Sequence, residues 1–239
     1  MSCLLMLGSA PMATEAQAWS RQGFDAVMAI NNAWNIRPDW DVMIHPWDFP
    51  ENRRPVAGVG QAIITEAEFV PAQNALGGFV YAGATMAFTA AYWALHARRP
   101  KVIAAFGCDM HYPAAGKTHF YGTGSPDPLR ADITLRSLEA KSARLMIMAA
   151  MQGCAMVNLS TGPSRLIFPR AQRGRAAQSL PLGFCPVGAA AAIAREAELG
   201  YTVASGRYWE ELHRFDPAQI DALDALWLAA ARVEWQQSA

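Results

Sequence analysis

Short, uninterrupted apolar runs alternate along the chain with segments of helical spacing. Leu4-Leu5-Met6-Leu7 is the first such run and stops at the turn signal Gly8-Ser9-Ala10-Pro11. Ala26–Ile30 stops at Asn31-Asn32, and Asp41–Ile44 stops at His45-Pro46. Ala62–Thr65 leads into a loop marked by Gly77, Gly78 and Gly83. Lys101–Phe106 leaves through Gly107-Cys108-Asp109, and Ala155–Leu159 leads into Ser160-Thr161. Runs this short, apolar at every position and closed by polar or glycine residues, predict strands buried on both faces.

Helices are predicted between them. Thr14–Gln22 carries Ala16 and Trp19 on one side, and Ala84–Ala97 aligns Met86, Ala90, Trp93 and Ala97 before Pro100 ends it. Thr134–Gln152 carries the stripe Leu135, Leu138, Ser142, Leu145 and Ala149, and an Ala-rich helix runs from about Gly188 to Leu199. Tyr201–Val203 reads as one more short strand. Asp216, Pro217 and Gln219 form a capping-box-like start for a last helix with Ile220, Leu223, Trp227, Ala230 and Trp235 on its apolar face.

Strands alternating with helices predict an α/β fold: a Rossmann-like, mostly parallel sheet with helices on both faces and a helical C-terminal extension. Residues 1–205 form the expected nucleotide- or nucleotide-sugar-binding domain, and 206–239 the extension packed on it. In such sheets ligands bind at the carboxyl ends of the strands. The exits just named therefore become the candidate site.

Composition narrows the options. The 239 residues are 52% hydrophobic and 17% charged, enough to bury a core without staples. Twenty Lys+Arg balance twenty Asp+Glu, which argues against nucleic acid or an anionic membrane as partner. Cys3, Cys108, Cys154 and Cys185 show no zinc spacing and read as reduced thiols. The apolar stretch at residues 3–7 is too short for a signal peptide, and no run approaches the ~20 apolar residues of a membrane span. A cytoplasmic protein is expected.

Candidate chemistry concentrates at four places. The Gly8-Ser9 turn lets backbone N–H groups approach an anion, though it has neither a GxGxxG fingerprint nor the Walker lysine and is also compatible with a plain βα turn. Asn31 and Asn32 offer amides suited to a base edge or a ribose hydroxyl, or equally serve as turn formers; His45 is a phosphate or sugar donor, or a strand cap. Asp109, His111, Tyr112, Lys117, Thr118, His119, Tyr121 and Thr123 crowd one loop. They can supply a general base, a cation for phosphate and phenolic donors, or form a hydrogen-bonded surface loop. Finally, no acidic residue stands between Glu139 and Glu196, while Lys141, Arg144, Arg165, Arg170, Arg173, Arg175 and Arg195 are basic. That segregation reads as a surface for an anionic ligand or as a solvated face, with residues 165–175 as a loop able to close.

These motifs resemble those of the bacterial lipooligosaccharide sialyltransferases and the related motility-accessory-factor-like proteins of Rossmann-type fold, over about residues 4–166. Gly8-Ser9-Ala10-Pro11 is similar to the family's Gly-x-Gly-Pro-Ser turn, Asn31 to its nucleotide-contacting Asn, and His45-Pro46 to its Asn-Pro. Ala82-Gly83 stands for its Ser-Gly pair. Gly107-Cys108-Asp109-Met110-His111, with Tyr112 one place on, is similar to Gly-Ile-Asp-x-Tyr. Gly162-Pro163-Ser164 loosely matches its Pro-Asn-Ser turn. His119-Phe120-Tyr121-Gly122-Thr123 is similar to His-Tyr-Ile-Gly-His, where the family's base is the second His and this chain has Thr123.

The resemblance implies a glycosyltransferase-like enzyme using a nucleotide-activated sugar, with a CMP-sugar favoured. No Asp-x-Asp metal pair is present, so no cofactor is expected and side chains would stabilise the leaving phosphate. His119 would be the base, with His111 as substitute. Tyr112, Lys117, Arg165 and Arg170 would hold phosphate; Gly8, Ser9, Asn31, Asn32, His45, Gly83, Asp109 and Ser164 complete the expected nucleotide site. The alternatives are an ATP- and Mg-dependent diphosphokinase-like phosphoryl transferase, with Asp109 and Asp127 on the metal, and a non-catalytic nucleotide-binding protein.

Overall fold

The structure is a computed structural model that describes residues 3–112, 116–123 and 130–232. Six strands form one sheet: β1 (Cys3–Leu7), β2 (Ala26–Ile30), β3 (Val42–Ile44), β4 (Ala62–Ile64), β5 (Val102–Phe106) and β6 (Ala155–Asn158). They run in the order β4-β3-β2-β1-β5-β6, and every pairing is parallel. The chain winds outward from β1 to β4, then returns to the other side of β1 with β5. The order thus reverses between β1 and β5, the switch point at which a parallel sheet opens a crevice. This is the Rossmann-like α/β fold expected from the alternation of runs.

The two faces of the sheet are covered differently. One face (Leu4, Met6, Met28, Val42, Ile44, Ile103) shares a single hydrophobic core with residues of all six α-helices: α1 (Glu66–Asn74), α2 (Phe79–Ala82), α3 (Met86–Ala97), α4 (Leu138–Met151), α5 (Pro186–Leu199) and α6 (Pro217–Ala231), the last packing on α4 and α5. The other face (Leu5, Leu7, Val27, Ala29, Met43, Val102, Ala104) is covered by small residues of three 3-10 helices. These are Pro11–Ala18, Asn31–Ile36 and Arg173–Gln178. Ala13, Ala16, Ala33 and Ala176 are their fully buried contacts, so these short segments lie close on the sheet.

Four sequence expectations need correction. The predicted helix over Thr14–Gln22 is instead the 3-10 helix Pro11–Ala18, begun by Pro11 and stopped at Trp19, which is extended. The glycine-marked loop after β4 holds α1 and α2; α1 starts at a full capping box of Thr65 and Glu68, and Pro71 sits inside it. Tyr201–Val203 forms no strand. Tyr201 instead stacks near Tyr81, and its hydroxyl accepts from the Asp216 N–H at 3.2 Å. That leaves Gln219 out of the expected capping box: its Oε1 accepts from Arg195 at 2.5 Å, while Asp216 alone caps Ala218 at 2.8 Å.

The C-terminal segment is fastened by buried charge. Arg144 of α4 donates through Nε and Nη2 to both Glu196 oxygens at 2.7 and 2.8 Å, and through Nη1 to the Tyr92 hydroxyl at 2.7 Å. The Trp227 indole donates to the same carboxylate at 2.9 Å. Lys141 and Asp224 make a second buried pair at 2.7 Å. Helix α6 thereby shares the core of the α-covered face. No helix among the described residues is long and apolar enough to cross a membrane.

Candidate functional site

A cavity of about 280 Å³ lies at the switch point. Its floor is made by the exits of three neighbouring strands: Gly8, Ser9 and Ala10 after β1, Ile30 and Asn31 after β2, Gly107 and Cys108 after β5. Two backbone bonds lock the β1 and β5 exits together, Gly8 N to Phe106 O at 2.9 Å and Ala10 N to Gly107 O at 3.0 Å. The approach is so close that a Cβ on Gly8 would stand 2.3 Å from the Gly107 carbonyl oxygen. Glycine is therefore required at position 8 for contact between the strand exits, as well as for any ligand. Gly107 has φ +71°, the left-handed turn that lets β5 end there.

Helix α3 begins at the cavity wall, with Thr85, Met86 and Ala87 lining it. Thr85 is the N-cap, accepting from Phe88 N at 3.3 Å. The first-turn N–H groups of Met86 and Ala87 belong to the set a helix cannot satisfy internally, and they carry the positive end of its dipole. Asn31 has φ +51°, and its Oδ1 is buried without a hydrogen-bond partner. An acceptor left so costs about 1–3 kcal/mol until a donor reaches it.

The roof comes from residues 110–112 and 119–121. A tight turn closes on reciprocal bonds between His119 and Gly122, and Phe120 N donates to Ser9 O at 3.0 Å, which sets the turn across the mouth of β1. His119 stacks on Tyr121 with centroids 5.0 Å apart and lies 5.8 Å from the Tyr112 ring. Its Nδ1 is 2.9 Å from Thr118 Oγ1. Burial lowers the His119 pKa from its ordinary value, which favours the neutral imidazole. His111, His119, Tyr112 and Tyr121 thus face one cavity together with Gly8, Ser9 and Asn31.

The other expected site residues are placed elsewhere. Asn32 is buried in the 3-10 helix after β2 and does not line the cavity. His45 is buried too, its Nδ1 2.8 Å from Pro46 O and its ring 5.4 Å from Phe49. Gly83 is packed beneath Phe88 and Lys141, where a Cβ would lie 2.8 Å from the phenyl ring. Lys117 is exposed and outside the lining. Asp109 turns to the far side of the β5 exit. Its Oδ1 accepts from Asn158 at 2.9 Å, and the same amide donates to Ser164 Oγ at 3.0 Å.

The expected cationic surface is absent in space as a single feature. Lys141 and Arg144 are spent on Asp224 and Glu196. Arg165 forms a bidentate pair with Glu139, whose carboxyl this guanidinium holds below its usual pKa. Arg195 pairs with Glu198 at 2.7 Å, and Arg173 lies over the Trp19 ring at 5.2 Å. Arg170 donates to the Ser160 and Gly162 carbonyls, so residues 165–175 are tied to the β6 exit by their own side chains. Lys141, Arg144, Arg165 and Arg195 draw acidic partners from outside the 140–195 interval, whereas Arg170 is held by carbonyls and Arg173 by an indole ring.

Sequence reasoning missed Thr85, Met86, Ala87 and Met110 as lining residues. The capping threonine before a helix that follows Gly83 was the available signal for the first three. No three His, Cys, Asp or Glu side chains among the described residues group as metal ligands; Asp127, the other expected partner of Asp109, lies outside the described residues. Comparison of the chain with protein-family models, with curated proteins and with solved structures gives no match.

Proposed function

We propose that the switch-point cavity binds a nucleotide-activated sugar, with a CMP-sugar favoured, and that the protein is a glycosyltransferase-like enzyme with His119 as general base. The observation that carries this reading is the convergence, in one cavity, of a helix N-terminus, an unsatisfied buried acceptor and an imidazole. The N–H groups at the start of α3 suit a phosphate, while the Gly8 and Ala10 N–H groups are already bonded to the Phe106 and Gly107 carbonyls. Asn31 Oδ1 needs a donor, which an exocyclic amino group of a base or a ribose hydroxyl supplies. The resemblance to the sialyltransferase-like and motility-accessory-factor-like proteins supports the same assignment of Gly8, Asn31 and Tyr112; where that motif has its base this chain has Thr123, and His119 is the competent group nearest to it in the motif.

In the transfer, the acceptor hydroxyl oxygen attacks the anomeric carbon as its proton passes to His119 Nε2. The bond from that carbon to the phosphate oxygen breaks, and the nucleotide leaves with its electron pair. For Nε2 to accept, Nδ1 must carry the ring proton and donate to Thr118 Oγ1, the contact seen at 2.9 Å. The Tyr112 and Tyr121 side chains line the same cavity, and their hydroxyls can donate to the charge that develops on the departing phosphate.

The test is a calorimetric titration of the full chain with CMP, UMP, GMP and ATP, repeated for Asn31→Ala. A nucleoside monophosphate should bind, and the variant should weaken it by about tenfold or more, the value of one buried hydrogen bond. Absence of binding by all four, or binding that Asn31→Ala leaves untouched, refutes the assignment. Tight binding of ATP alone, requiring Mg²⁺, would move the protein to phosphoryl transfer.

A further inference from the structure

A second cavity, of about 410 Å³, opens on the same edge of the sheet beyond the exits of β3 and β4, and Met86 walls both cavities. Its interior is formed by aromatic rings, Phe69, Phe79 and Tyr208. At its mouth stand Trp47 and Trp209, 65% and 47% exposed. Two indoles held at the rim of a cavity leave apolar ring surface in water that a ligand would cover. Polar groups inside are few. Glu66, in the first turn of α1, has one carboxylate oxygen buried without a hydrogen-bond partner.

The charges in the lining decide the class of ligand. Arg130 donates to Asp132 at 3.0 Å and to the Tyr208 hydroxyl at 3.0 Å, and Arg207 reaches Glu210 at 3.5 Å. Both cations of the lining therefore already face acidic partners, while Asp48 and Glu66 add negative charge. An anionic ligand is disfavoured by that balance. What fits is a neutral molecule with apolar faces to lie on indoles and hydroxyl donors at its edge. A pyranose has both: C–H groups across its faces and hydroxyls around its rim.

We propose that this second cavity binds a neutral pyranose, stacked on Trp47 and Trp209 with a hydroxyl donating to Glu66, and that this sugar is the acceptor of the transfer. Its role as acceptor rests on the proposed function; its binding rests on the cavity alone. Met86, shared by the two linings, then marks the boundary between nucleotide and acceptor, and its side chain sets how closely they approach.

Saturation-transfer NMR on the full chain tests this, with the methyl glycosides of glucose, galactose, mannose and N-acetylglucosamine, each alone and beside CMP. At least one pyranoside should bind. Trp47→Ala and Glu66→Ala should each weaken it by about tenfold, the value of one lost hydrogen bond or ring contact. Trp47 is so exposed that its removal does not threaten the fold. Asn31→Ala should weaken CMP and leave the pyranoside unchanged. Failure of all four glycosides to bind, or binding that survives both Trp47→Ala and Glu66→Ala, overturns the proposal. CMP failing to bind while a pyranoside does would overturn the nucleotide reading and the acceptor role, and leave the sugar site standing.

Discussion

The basic stretch after Glu139 and the cavity at the switch point hold the two groups of polar side chains that stand out in the sequence, and the fold treats them in opposite ways. Arg144 is buried, yet each nitrogen of its guanidinium has a partner, among Glu196, Tyr92 and the Leu76 carbonyl. Asn31 and His119 are less buried, yet one has an acceptor with no partner and the other is an imidazole that lines open space, its charged form disfavoured by burial. A side chain whose bonding capacity is consumed by the protein serves stability. One whose capacity is left over is available to a ligand.

The largest effect should come from the unspent side. His119→Ala is expected to lower turnover by ~10²–10⁴-fold while nucleotide affinity stays close to that of the parent chain, as for loss of a general base. The parent enzyme should lose activity as pH falls, with the acid limb lying below the ordinary imidazole pKa of about 6.5 because burial lowers it. The sign for stability agrees. A histidine whose folded pKa is lowered contributes stability that is present above the unfolded value and lost as pH falls through the folded one. Kinetics across pH for both proteins check this; an acid limb that persists in His119→Ala assigns it to another group.

Next comes the spent side. Arg144→Met should destabilise the fold by about 3–5 kcal/mol, because the Glu196 carboxylate stays buried with only Trp227 to donate to it. Denaturant melts measure it. The double change Arg144→Met with Glu196→Gln should recover part of the loss by removing the stranded charge, and equal stability of single and double variants would show that the pair is not coupled.

The smallest effect separates the two groups most cleanly. Arg165 is about 40% exposed and bonded to Glu139. Arg165→Ala should cost at most about 1 kcal/mol of stability, as exposed pairs do, and leave nucleotide titrations unchanged. A marked loss of nucleotide binding in that variant would mean that Arg165 leaves Glu139 for the ligand, and the division drawn between spent and unspent groups would fail at this residue.

What was legible in the chain was local. The apolar runs at residues 4–7, 26–30, 42–44 and 102–106 mark their own strands, because a strand buried on both faces must be apolar at consecutive positions. Polar or glycine residues at their ends mark the exits, and Gly8, Asn31 and Gly107 follow from them into the cavity. The sequence also determined α6 at its start, where Asp216 and Pro217 act within one turn. Only the tertiary structure decided that Pro11–Ala18 is a 3-10 helix pressed on the sheet, where Ala13 and Ala16 are its buried contacts. It alone decided that Asn32 and His45 turn inward, that Met86 divides two cavities, and that Lys141, Arg144 and Arg165 have acidic partners. Those partners lie 83, 52 and 26 residues away along the chain, and a charge is paired by distance in space, which sequence spacing does not encode.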